Sequence, residues 1–153
     1  MTSASLRRLL VLAVGFLVVA PPLSAQAGRV RIIQTNAAGD NVHLIDPTTQ
    51  QVVDVIMGIQ IPHGVTAAPD GSELYITNEV DHTVDVVSTS TLRVTAKIPL
   101  SENPNNLAIT PDGRKLYVAI AGAPWVDVID TQEQRRITRI AMLSGVHNTY
   151  VTP

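Results

Sequence analysis

Pro69-Asp70-Gly71-Ser72-Glu73-Leu74-Tyr75-Ile76-Thr77-Asn78 decides the fold, because it comes twice. Its second appearance, 42 residues on, is Pro111-Asp112-Gly113-Arg114-Lys115-Leu116-Tyr117-Val118-Ala119-Ile120. The register holds without a gap in both directions. Asn36 matches Asn78, and Val42, Val84 and Val126 form one series. Asp46, Ser88 and Asp130 form another, as do Ile56, Ile98 and Ile140. Thr152-Pro153 stands where Thr110-Pro111 would recur. A period of this length is the mark of a repeat architecture.

Each unit reads as four short strands. In the middle unit Val65 to Ala68 is the first. In the Pro69-Asp70-Gly71 turn Pro presets φ, Asp can bond back to the backbone and Gly accepts positive φ. Leu74 to Thr77 is the second strand and Val84 to Val87 the third. Leu92 to Ile98 alternates apolar and polar residues, the period of a strand with one wet face. No stretch beyond the N-terminal region has helical periodicity. Four strands every 40-odd residues is the signature of β-propeller blades. The expected fold is therefore all-β, an incomplete ring of about three blades, each of four antiparallel strands.

The N-terminal 27 residues stand apart. Arg7 and Arg8 precede an apolar run from Leu9 to Ala20, followed by Pro21-Pro22 and by Ser24-Ala25-Gln26-Ala27. This is the pattern of a cleaved secretory signal. The run is shorter than the about 20 residues needed to span a bilayer, which counts against an uncleaved anchor. Cleavage after Ala27 leaves Gly28 to Pro153 and moves the formal charge from -2 to -4. An exported protein, periplasmic or extracellular, with no membrane segment after cleavage is expected. The only Phe, Phe16, leaves with the signal, so the core must be built from Val, Ile and Leu.

Composition narrows the function. Apolar residues are 45% and charged residues 16% of the 153-residue chain, a globular balance. No Lys/Arg cluster points to nucleic acid. The absence of cysteine excludes disulfides, a cysteine nucleophile, thiolate metal sites and haem attachment through a Cys pair.

The Pro-Asp-Gly turn, Leu74-Tyr75-Ile76-Thr77-Asn78 and Val84-Asp85-Val86-Val87 resemble the YVTN family of β-propeller repeats. Leu116 to Ala119 with Val126 to Asp130 resembles a second copy. Ile33 to Asn36 with Val42 to Asp46 resembles the tail of an earlier one. The third copy departs from the pattern, with Ile120 where Asn36 and Asn78 stand. The resemblance covers essentially all of residues 28–153 and implies a six- to eight-bladed propeller in an exported protein. It implies little about activity, because a fold hosts many functions.

The repeat divides the chain into a signal at 1–27, a partial blade at 28–63, blades at 64–105 and 106–147, and the start of another at 148–153. Three blades cannot close a ring without leaving two apolar faces bare. Either further blades of a longer protein or further copies of the chain are needed. A fragment of a longer propeller is the favoured expectation, because Val146 to Thr152 is a first-strand segment with no later strands of its own blade.

Propeller sites lie where one blade's outer strand hands over to the next blade's inner strand. Three residues share that position at 42-residue spacing: His63, Asn105 and His147. Gly64, Asn106 and Asn148 follow them. Two His and several Asn should converge at the channel mouth, where imidazole can ligate a metal or haem iron and Asn can orient a polar ligand. The bland alternative is that they bond backbone groups at a strand start. The loop between second and third strands opens on the same face. It brings Asp40, then Glu79, Asp81 and His82, then Trp125, a candidate stacking residue. Arg93, Lys97, Arg135, Arg136 and Arg139 read as charges that blunt an outer edge strand. His43 aligns with Asp85 and Asp127 as a polar strand position.

A non-catalytic scaffold binding a small-molecule or protein ligand on this top face is the leading expectation, with no cofactor. A lactonase-like hydrolase is an alternative; it needs a general base, and the sequence sets no clear carboxylate beside His63 or His147. A redox propeller similar to the haem-binding domain of nitrite reductases is another, with a top-face His as axial ligand.

Overall fold

The computed structural model describes residues 30–152. They form three antiparallel sheets and no helix. Residues 1–27, expected to be a secretory signal, lie outside the described residues. The first blade is β1 (Ile32–Asn36), β2 (Asn41–Asp46) and β3 (Gln51–Met57). Blade 2 is β4 (Pro62–Ala67), β5 (Glu73–Asn78), β6 (Thr83–Ser88) and β7 (Arg93–Pro99). Blade 3 is β8 (Pro104–Ile109), β9 (Lys115–Ile120), β10 (Trp125–Asp130) and β11 (Arg135–Ala141). Strand order follows chain order in every sheet. The first strands begin earlier than the turns implied, at Pro62 and Pro104. The ladder reopens there as Pro62↔Asn78 and Pro104↔Ile120, past an irregularity that apolar alternation does not reveal.

The repeat is visible as geometry. Each third-to-fourth strand hairpin shifts register at the same place: Leu44/Ile45, Val86/Val87 and Val128/Ile129. Each enters its fourth strand through a left-handed residue, Gln50, Leu92 or Gln134, at φ of 58°, 55° and 48°. In the first hairpin turns Gly71 and Gly113 take φ of 73° and 72°. Asp70 Oδ1 accepts from Ser72 N at 3.0 Å, and Asp112 Oδ1 from Arg114 N at 3.0 Å, so these turns are closed by their own side chains.

Two cores lie between blades. Val42, Leu44 and Ile56 of blade 1 pack against Leu74, Ile76 and Val87 of blade 2. Tyr75, Val84, Val86 and Ile98 on the other face of blade 2 pack against Leu107, Leu116, Val118 and Ile120 of blade 3. Hydroxyls tie the seams. Thr35 Oγ1 donates to the His63 carbonyl at 2.8 Å, and Thr77 Oγ1 to the Asn105 carbonyl at 2.7 Å. Thr77 is fully buried and also accepts from Gly64 N at 2.7 Å. β4 and β8 approach closely at Gly64: a Cβ there would lie 2.7 Å from Leu107 Cδ2 and 2.8 Å from Asn106 Cα.

Val146 to Thr152 forms no strand, contrary to the sequence reading. It lies beside β8 as a first strand should, with Asn106 N donating to the His147 carbonyl at 3.1 Å. Thr149 Oγ1 donates to the Tyr117 carbonyl at 2.9 Å. Its ladder would form with the second strand of its own blade, as β4 pairs with β5 and β8 with β9, and the described residues supply none.

Candidate functional site

The handover loops and the loops between second and third strands share one face. Three backbone bonds in repeat register stitch them together within each blade. Gly58 N donates to the Asp40 carbonyl at 2.9 Å, Leu100 N to His82 at 2.9 Å and Met142 N to Pro124 at 2.7 Å. This stitching fixes the top face on which the candidate residues stand.

His63 has a carboxylate beside it after all. Its Nε2 is 2.6 Å from Glu79 Oε2, and Glu79 Oε1 accepts from Asn103 Nδ2 at 2.9 Å. Asn103 Oδ1 is buried with no hydrogen-bond partner. Glu79 belongs to the turn after β5, and the ladder Pro62↔Asn78 sets that turn against the start of β4. Equivalent repeat positions lie on different blades, so the 42-residue spacing carries no trace of this pairing within one blade. Asn103 carried no sequence signal.

The other predicted residues separate into groups. Asn106 Nδ2 donates to Asn148 Oδ1 at 3.1 Å, beside the exposed His147, so two successive repeat positions do meet. Asn105 contributes its carbonyl to Thr77, the strand-start role foreseen as the bland alternative. His82, at φ 52°, stands 3.5 Å from Glu102 Oε1 through its Nδ1. Trp125 Nε1 donates to Ser101 Oγ at 2.7 Å, and Arg139 lies over its ring at 4.8 Å. The ring is partly buried and packs on the core between blades 2 and 3, so it is as much a seam residue as a rim residue. Among the described residues no group of three or more His, Asp or Glu able to hold a metal is assembled.

Several outer-strand cations do more than blunt an edge. Lys97 Nζ lies 2.6 Å from Asp81 and 3.5 Å from Asp85, and the hydrogen bond to Asp81 raises its pKa above the usual lysine value. Arg136 stands 3.3 Å from Asp127. Asp85 and Asp127 are fully buried. Asp85 accepts from Thr83 Oγ1 at 2.6 Å and Asn78 Nδ2 at 3.1 Å. Asp127 Oδ2 accepts from Ser101 N at 2.7 Å, and its Oδ1 has no partner. These are polar anchors of the top end of each seam. His43, their counterpart in blade 1, is only part-buried.

Chemically, a carboxylate that fixes an imidazole is the arrangement of a general base, and equally a means of orienting a polar ligand. The carboxylates of Glu79, Asp81 and Glu102 give this part of the face an acidic character.

No protein-family model matches the chain, and no curated protein sequence does. Solved structures do. Hydrazine synthase of Kuenenia stuttgartiensis superposes with a TM-score of 0.70 at 28% identity, over 76% of this chain and 34% of that one. Apo AztD of Citrobacter koseri gives 0.64 at 17% identity, over 79% and 34%. The dihydro-heme d1 dehydrogenase NirN in complex with DHE gives 0.60 at 21% identity, over 72% and 24%. The chain thus spans about a third or less of the structures it resembles. All three are β-propeller proteins. Residues 30–152 are an arc of β-propeller blades.

Proposed function

We propose that this chain belongs to an exported, YVTN-type β-propeller that serves as a non-catalytic scaffold, binding a small-molecule or protein ligand on its top face. The observation that carries this reading is the His63–Glu79–Asn103 chain at a handover, ending in a buried, unpartnered Asn103 oxygen. The exposed His147 and the Asn106–Asn148 pair extend polar groups along the same face. Signal cleavage after Ala27 would be read by N-terminal sequencing of the exported protein.

One observation favours a second reading. The His63–Glu79 contact supplies the carboxylate that a lactonase-like mechanism needs, with Glu79 orienting the imidazole and His63 drawing a proton from water. Haem or a metal would need a free imidazole nitrogen. His63 has one nitrogen committed to Glu79, so a haem or metal would take a single axial bond through His63 or His147; among the described residues no multidentate cage is assembled.

The test is a spectrum and an assay on the purified protein. The scaffold reading expects no visible absorption band and no hydrolysis of sugar or acyl lactones. Lactone hydrolysis lost in Glu79→Gln and His63→Ala would replace it with the hydrolase. A Soret band lost in His63→Ala or His147→Ala would replace it with the redox protein.

A further inference from the structure

The seam between blades 1 and 2 is not filled as the next one is. On the face opposite the handover loops it holds a cavity of about 700 Å³, where the corresponding space between blades 2 and 3 is about 240 Å³. Ile33, Leu44 and Leu74 give it apolar walls, and Arg31, Asp54 and Asp70 add charged groups. Both walls belong to this chain. A space of this size, apolar with a few polar groups, has the make-up of a small-molecule site.

The repeat shows what such a space accepts. Ile33 holds the position that is Tyr75 in blade 2 and Tyr117 in blade 3. Tyr75 is 3% exposed and packs in one cluster with Leu107 and Leu116 of blade 3. Its hydroxyl donates to Glu73 Oε2 at 2.8 Å. Burial, and then the Glu73 carboxylate, push its pKa up, so it stays a neutral donor. Blade 1 has no ring at this position, because isoleucine ends short of where a phenol reaches.

The first seam does have the acceptors. Asp54 stands where blade 2 has Ala96, and Asp70 faces it from the turn after β4. Asp70 Oδ1 accepts from Ser72, and Asp54 Oδ1 from the Val55 amide at 3.2 Å. Oδ2 of each accepts no hydrogen bond among the described residues. The Arg31 guanidinium, held by Asp46 at 3.2 Å, has a flat face on which a ring can stack.

We propose that this cavity binds a small neutral phenol, its ring taking the place that Tyr75 fills in the next seam and its hydroxyl donating to Asp54 or Asp70. The first seam thus takes from solution the group that the second carries in its own sequence. Two carboxylates, beside an arginine that Asp46 already neutralises, disfavour an anionic ring and so separate a phenol from an aryl carboxylate.

The probe is p-cresol, the tyrosine side chain as a free molecule. Its titration into the purified protein, read by calorimetry or ligand-observed NMR, should saturate at one site per chain below about 10 mM. Ile33→Tyr and Leu44→Phe fill the cavity from two different strands, and each should weaken binding by about tenfold or more. Asp54→Ala combined with Asp70→Asn should weaken it by about fivefold. Benzoate should bind at least about tenfold more weakly than p-cresol. No saturable binding, or binding that survives both filling substitutions, overturns the proposal. So does indifference to the loss of both carboxylates, or benzoate bound as tightly as p-cresol.

Discussion

Blades 2 and 3 share one pattern but are not held alike. Blade 2 has a neighbour on each side, and β6 is buried from Thr83 to Val87, so even Asp85 is enclosed. Blade 3 has a neighbour on one side, and β11 is largely exposed. The seams differ as well. Thr77 bridges β4 and β8 through its hydroxyl, but its counterpart Ala119 has none. On that seam the hydroxyl comes from the opposite partner, as Thr149 reaches the Tyr117 carbonyl. The lesson is that the repeat defines a blade, while its neighbours define which residues are core.

The sharpest way to break this comparison is to truncate one repeat position in both blades. Ile98→Ala should cost about 2–5 kcal/mol in urea unfolding, the range for a fully buried isoleucine. Ile140→Ala, at the 46% exposed equivalent, should cost less than about 1 kcal/mol. Equal costs would mean that blade 3 is covered too.

The seam comes next. Gly64→Ala should destabilise by about 1–3 kcal/mol, because the new methyl meets Leu107 and the Asn106 backbone. Thr77→Val should cost about 1–3 kcal/mol by stranding Gly64 N and the Asn105 carbonyl. Ala119→Thr should also cost about 1–3 kcal/mol, here by overpacking, because Ala119 is fully buried. A gain in Ala119→Thr would instead show that the third seam has both room and a partner for the missing hydroxyl.

The smallest effect is at the opposite face and depends on pH. The Ser72 backbone amide lowers the pKa of Asp70 below its ordinary 3.8. The Thr110 hydroxyl does the same for Asp112. A carboxyl depressed in the folded state adds stability above 3.8 and loses it as pH falls through the folded value. Asp70→Asn and Asp112→Asn should therefore flatten the acid limb of the stability curve slightly and equally, since both turns are exposed. Unequal flattening would set the two turns apart where the rest of the comparison treats them as alike.

The blade pattern was legible because it follows from spacing. The Pro-Asp-Gly turns, the period and the Val/Ile strands locate three sheets without any long-range information. Strand ends were missed at Pro62 and Pro104 because an irregularity in the ladder leaves no periodic trace. Equivalent positions in a repeat share one face, so spacing alone groups His63, Asn105 and His147. Spacing does not show their partners: Glu79 meets His63 across one blade, and Asn103 joins from the next handover. Asp85 and Asp127 read only as polar strand positions, because alternation does not show that their side of the sheet is covered by a neighbouring blade. Thr77 stood in the open within the motif; only the neighbouring strand shows that it is a latch.

The backbone stitches from Gly58 to Asp40, Leu100 to His82 and Met142 to Pro124 have a kinetic consequence. Each closes a loop inside a single blade, and such local closure is fast and carries little entropy cost. The threonine latches reach farther, 28 residues along the chain, and wait for the next blade's first strand. A chain emerging from its N-terminus can therefore complete one blade before the next arrives, then lock it when the following strand appears. Folding of this kind advances like a ratchet, with Ala119 as the tooth that is missing.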